Sequence, residues 1–205
     1  MKKFIIAAVG LVLAGPAFAQ TAATPIDPAA LDAAVKAGWK ELTPELQKRV
    51  DQDETQKVCS DTRNNPSKAQ FDAIVAREKA TIEYPPDGKL LGDWEKGKKS
   101  AGDGFGWRMR DDMVKRQAGG NCYACHQMEP KEITYGTLGP SLVGYGKLRD
   151  FKEEAANAAY EKIYTAHVVF PCSNMPRLGA NKFLTIDQIK DVTAFLMSPD
   201  SPVNK

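Results

Sequence analysis

Residues 122–126 read Cys-Tyr-Ala-Cys-His, and no other stretch of this 205-residue chain constrains its fold as strongly. Two thiols three positions apart project to one side of a helical turn, and the imidazole that follows falls beneath them. Such a set can form thioethers with both vinyl groups of one porphyrin and place a nitrogen on its iron. The rest of the sequence is read around one covalent haem c, held by Cys122 and Cys125 and ligated by His126.

The leader bears on that reading. Lys2 and Lys3 open the chain, an apolar run extends from Phe4 to Leu13, and Ala17-Phe18-Ala19 fits a small-x-small cleavage site. The run is shorter than the roughly 20 residues that span a bilayer. Residues 1–19 are therefore expected to be a cleaved signal peptide, leaving a periplasmic protein without a membrane anchor. Without the leader's two lysines, 26 basic residues balance 26 acidic ones. A balanced chain offers no broad basic field for nucleic acid or anionic membrane.

Other uses of the motif fit less well. A zinc site wants about four nitrogen or sulfur ligands, and the whole chain has four Cys and two His. A thioredoxin-like dithiol needs a βαβ context, and no strand pattern surrounds residues 122–126.

The flanking segments supply a pocket. Leu91 to Lys99 reads as a short amphipathic helix capped by Asp93, with acid early and lysines late. In the loop-forming stretch 136–146, Gly139-Pro140 sets a turn whose Pro140 carbonyl is placed to accept the free N–H of His126 and so fix its tautomer. Residues 151–167 carry Phe151, Ala155, Ala159, Ile163 and Ala166 at helical spacing, marking one buried face. A last helix starts at Thr185, runs through Ile189, Val192, Phe195 and Leu196, and stops before Pro199.

Between these helices lies Pro-Cys-Ser-Asn-Met-Pro-Arg-Leu-Gly, residues 171–179. A thioether on a proline-pinned loop suits the sixth position of an electron-transfer haem, and a Met/His pair raises its potential. Met175 lies 49 residues beyond His126, enough chain to turn round the ring edge. His167 is the rival ligand, and an open or Cys-ligated iron is a further alternative. Met109, Met113, Met128 and Met197 read as packing or surface residues.

Several longer strings carry a resemblance. Gly-Gly-Asn-Cys-Tyr-Ala-Cys-His-Gln-Met (119–128), residues 135–149 and Cys-Ser-Asn-Met-Pro-Arg-Leu-Gly (172–179) together resemble a class I cytochrome c domain, and more narrowly SoxX. SoxX is the mono-haem subunit of the SoxAX complex of bacterial thiosulfate oxidation. The likeness continues upstream through residues 51–60 and 84–94, and covers most of the chain beyond the leader. It implies an all-α protein: an N-terminal helical extension over 20–89, a cytochrome c domain over 90–199 and a tail over 200–205. It also implies a SoxA-like partner in a heterodimer that carries the catalytic cysteine. A sulfur-carrier protein and an electron-accepting cytochrome would be transient partners.

Cys59 and Cys172 remain after haem attachment, and leftover thiols in an oxidising compartment most often pair. A Cys59–Cys172 disulfide would tie the extension to the Met175 loop. Closing 113 residues stabilises by about 4–5 kcal/mol in the chain-entropy picture. The alternative makes Cys172 a nucleophile, but no neighbouring His activates it. In the extension, Asp27-Pro28 and Thr43-Pro44 are cap-plus-first-turn pairs. Leu31, Val35, Trp39 and Leu42 form one apolar stripe and Leu46, Val50 and Val58 another, both expected to be local core.

Three functions compete. The resemblance implies an electron-transfer subunit of a thiosulfate-oxidising enzyme, with no catalytic residue in this chain. A diffusible periplasmic carrier is the second, and balanced charge speaks mildly against it. A haem enzyme or sensor needs an open iron position, which Met175 argues against.

Overall fold

A computed structural model of the chain describes residues 27–205, so the leader reading over residues 1–19 lies outside the described residues. The chain divides into two units, one ending at Thr43 and one spanning Pro44–Lys205. No strand occurs among the described residues, and the fold is all-α as expected. No helix among them is long and apolar enough to cross a membrane.

The first unit contributes α1 (Pro28–Gly38). Asp27 accepts the Ala29 N–H at 3.0 Å, and Pro28 occupies the first turn where its missing N–H costs nothing. Leu31, Val35 and Trp39 are exposed rather than local core, and Leu42 is half-buried. The reason is geometric: this unit has no second helix among its described residues against which the stripe could pack.

The second unit contains α2 (Pro44–Val50), α3 (Glu54–Asp61), α4 (Lys68–Lys79), α5 (Trp94–Gly102), α6 (Glu153–Tyr164) and α7 (Ile186–Met197). The starts of α3, α4 and α7 share one device. Asp53, Ser67 and Thr185 each accept an N–H three residues on, and Gln56, Gln70 and Gln188 reach back to the cap residue's N–H. Each box satisfies two backbone donors that would otherwise lack partners. Asp93 caps α5 through the N–H groups of Glu95 and Lys96, as its sequence suggests.

The core forms where α5 and α6 meet α7. Tyr160, Ile163, Ile189, Val192 and Phe195 are buried there with Met128. α5 crosses α7 at Gly97, where a Cβ would lie 1.9 Å from the Asp191 carbonyl oxygen and 2.9 Å from the Phe195 Cβ. Only glycine lets the two backbones come this close.

α6 departs from its expected face. Phe151 is 39% exposed and lies outside the helix, because Asp150 and Phe151 both adopt left-handed backbone (φ 53°) as the chain turns into it. Ala156, Tyr160 and Tyr164 join Ala159 and Ile163 on the buried side, and Ala155 is only half-buried. The last residues pack inward. Asn204 Oδ1 accepts from Gly146 and Lys147 N–H at 2.9 and 3.1 Å, while its amide donates to Leu196 and Ser198 carbonyls at 3.0 and 2.8 Å.

Gly97→Ala gains about 1 kcal/mol of helix propensity but forces a methyl into backbone atoms that cannot yield singly. Overpacking wins, and a net loss of about 1–3 kcal/mol is expected. Urea unfolding followed by helical circular dichroism measures it. An unchanged or higher midpoint would show that α5 and α7 can part freely.

Candidate functional site

The Cys-His motif is built from short-range backbone bonds. Asn121 enters in left-handed conformation (φ 49°) and starts a tight turn over Cys122–Ala124. The N–H groups of Cys125 and His126 both donate to the Cys122 carbonyl, at 3.1 and 2.9 Å. Both thiols and the imidazole therefore sit on one turn. That turn is fixed to the end of α5: Gly120 N–H donates to the Ser100 carbonyl at 2.7 Å, and Asn121 N–H to that of Asp103 at 3.0 Å.

The following loop closes over the imidazole. Gly139 N–H donates to the Cys125 carbonyl at 2.8 Å, and Leu142 N–H to that of Gln127 at 2.8 Å. His126 Nδ1–H donates to the Pro140 carbonyl at 2.7 Å. The proton is thereby fixed on Nδ1, and the Nε2 lone pair is left for a metal. Gly139 lies flat against the ring; a Cβ there would come within 2.2 Å of Cε1.

Cys122 and Cys125 are free thiols, whereas Cys59 and Cys172 form a disulfide with Cα atoms 5.3 Å apart. Burial pushes the Cys122 thiol above its ordinary range. Two unoxidised thiols, an imidazole with Nε2 free and a glycine pressed on its ring fit a covalently attached haem. When bound, such a group supplies a reversible one-electron couple.

Met175 belongs to a loop held mainly by side chains. Its N–H donates to Ser173 Oγ at 3.1 Å, and its side chain packs, as Cys122 does, against the core cluster. His167 is buried, and its Nε2–H donates to the Ser173 carbonyl at 3.1 Å. The rival ligand thus supports the Met175 loop from behind. Burial holds its pKa below the usual histidine range, and its buried Nδ1 has no partner. Met128 and Met197 are core residues, while Met109 and Met113 are exposed.

Sequence reasoning missed the group on the far side of this loop. Arg177 is 9% exposed and donates to Glu78 Oε1 at 2.9 Å and to Asp53. Glu78, only 1% exposed, also accepts from Thr55 Oγ1 at 2.8 Å and Thr165 Oγ1 at 2.7 Å. A charge in the Met-Pro-Arg run was the only local signal. Its partners lie 99 and 124 residues away, beyond the reach of any periodicity. Burial raises the Asp53 pKa, but hydrogen bonds from the Gln56 N–H and Arg177 outweigh it and hold the carboxyl below its ordinary range.

A family model for cytochrome c matches residues 112–199. The chain is also 39% identical over 155 residues to a protein of Aquifex aeolicus (strain VF5) described as an uncharacterized lipoprotein. That alignment covers 75% of this chain and 73% of the relative. The chain belongs to the cytochrome c family, as a class I, all-α member, and this family binds haem c covalently and transfers electrons.

Two expectations follow. Cys122→Ser with Cys125→Ser should abolish haem that survives denaturing electrophoresis, while Cys59→Ser with Cys172→Ser keeps it; peroxidase staining of the gel checks both. The depressed Asp53 pKa stabilises the fold fully above the ordinary value of 3.8 and progressively less as pH falls through the folded value. Because the Asp53 side chain is 46% exposed, solvent limits this to under about 1 kcal/mol. Urea midpoints of wild type and Asp53→Asn should converge in acid; a constant gap would refute the linkage.

Proposed function

We propose that this cytochrome c is the mono-haem electron-transfer subunit of a periplasmic SoxAX-type complex. What carries the reading is where the upstream resemblance falls. Residues 51–60, outside the 112–199 family match, include Asp53 and Cys59, which hold the Met175 loop by ion pair and disulfide. A free-standing cytochrome domain would not need that segment for haem attachment, so its likeness to SoxX has a physical counterpart.

In this reading, the SoxA-like partner binds the carrier-protein cysteine and thiosulfate at its own cysteine. Joining a thiol to thiosulfate forms one sulfur–sulfur bond and releases one proton and two electrons. The haem that Cys122, Cys125 and His126 would hold would supply a one-electron couple between that site and an electron-accepting cytochrome. This chain supplies no nucleophile or acid–base pair. Cys122 and Cys125 anchor the group, the Pro140 carbonyl keeps the His126 proton on Nδ1, and His126 and Met175 would ligate the iron. With both iron ligands supplied by the protein, electron transfer would be favoured over substrate binding.

The relative's description as a lipoprotein does not by itself extend to this chain.

Gentle affinity purification of the haem-loaded protein from periplasm, with intact mass and haem count, tests the assignment. A stoichiometric second cytochrome subunit retained through salt is expected, with thiosulfate reducing the haem only when that subunit and the carrier protein are present. A one-haem monomer that thiosulfate leaves oxidised would instead make this a diffusible electron carrier.

A further inference from the structure

We propose that Arg177 is a positioning residue for Met175, and that α3 and α4 serve through it as a brace for the iron's sixth ligand. The inference rests on Met175 being that ligand. It concerns what keeps the thioether in place, which is distinct from which residue ligates.

The loop has little means of holding itself. Among the described residues, 174–176 make one hydrogen bond, from Met175 N–H to Ser173 Oγ at 3.1 Å. Pro176 has no N–H to donate. Against the loop lies an open pocket of about 350 Å³ lined by Gln56, Asn64, Asn174, Met175 and Pro176 among others, and its wall is mostly polar. Apolar packing therefore does not press on the loop from that side.

Both flanks are anchored instead. Three residues before Met175, Cys172 is bonded to Cys59 of α3. Two residues after it, Arg177 inserts between Glu78 of α4 and Asp53, the cap of α3. Glu78 cannot relax away from Arg177 without leaving the hydroxyls of Thr55 and Thr165, which fix it at 2.8 and 2.7 Å. Arg77 steadies Thr55 in turn, donating to its hydroxyl at 2.9 Å. The anchor is thus a buried carboxylate gripped from three elements and read by a planar guanidinium, a geometry that sets direction as well as distance.

An ion pair that only stabilised the fold would lower global stability when broken and leave the iron's coordination alone. A positioning pair acts on the loop first. Opening of the loop exposes the iron to an added ligand, so imidazole affinity of the ferric protein reads the opening equilibrium, and the far-red Met–iron charge-transfer band reads the closed form.

The test uses the haem-loaded full chain. Wild type should show the band; a wild type without it removes Met175 as ligand and this proposal together. In Arg177→Gln, imidazole affinity should rise at least about tenfold, and the band should weaken, under conditions where helical circular dichroism is unchanged. Arg177→Lys, which keeps the charge without the fork, should fall between. If Arg177→Gln yields no folded protein, Asp53→Asn and the paired Cys59→Ser, Cys172→Ser variant are read the same way. Imidazole affinity and band equal to wild type in the folded variants, with only the urea midpoint lowered, would overturn the brace.

Discussion

The hydrogen bond from His126 Nδ1–H to the Pro140 carbonyl decides what the motif can do. An imidazole whose proton sat on Nε2 would present no lone pair to a metal beneath the thioether sulfurs. The surrounding backbone is organised to hold that bond. The turn of residues 122–126 fixes the ring from one side, and the Gly139 backbone lies against it from the other. Any Cβ at position 139 would displace the ring and lose the Pro140 contact. The closeness of α5 to α7 at Gly97 matters for the same reason, since the Ser100 carbonyl of α5 anchors Gly120 and the Asp103 carbonyl just past its end anchors Asn121.

The two sides of the site are secured by different physics. The His126 side relies on backbone hydrogen bonds within a few tens of residues. The Met175 side relies on a disulfide of sequence separation 113 and on a buried ion pair spanning 99 residues. Backbone bonds make the first side rigid at its own location. Side-chain tethers make the second dependent on α3 and α4 being folded and docked. The tethers of the Met175 loop therefore lie partly outside the segment that matches the family.

This division also explains what the sequence revealed. The turn of residues 122–126, the Asp93 cap, the Thr185 start and the Pro140 acceptor depend on neighbours in the chain, and each could be inferred from local residue chemistry. The Cys59–Cys172 pairing was legible by elimination, because only two cysteines remained. Phe151 was misplaced because helical spacing continues through it while Asp150 and Phe151 turn left-handed, and periodicity does not sense backbone sign. The α1 stripe was legible as amphipathic, but spacing does not say whether a surface will cover it. Glu78 and Arg177 look like ordinary charged residues in one dimension. Their burial exists only once α4 meets the loop.

The asymmetry matches what the two proposed ligands would need. A histidine one residue from a thioether-forming cysteine is bound to the haem through the chain whether or not its nitrogen ligates. A methionine has no such link, and its neutral, soft sulfur favours the more reduced metal. With Met175 as the proposed ligand, oxidation would shift the iron's preference toward harder donors such as water or nitrogen bases, and the loop would then have to be retained by the protein. Retention has to come from interactions that do not change with the iron's charge. The disulfide meets that condition covalently. The Glu78–Arg177 pair meets it because its charges are compensated within the protein, and its hydroxyl donors do not involve the iron. For an electron carrier, coordination that stays the same in both oxidation states keeps the reorganisation on each transfer small, and under the proposed ligation the tethers from α3 and α4 would serve that end.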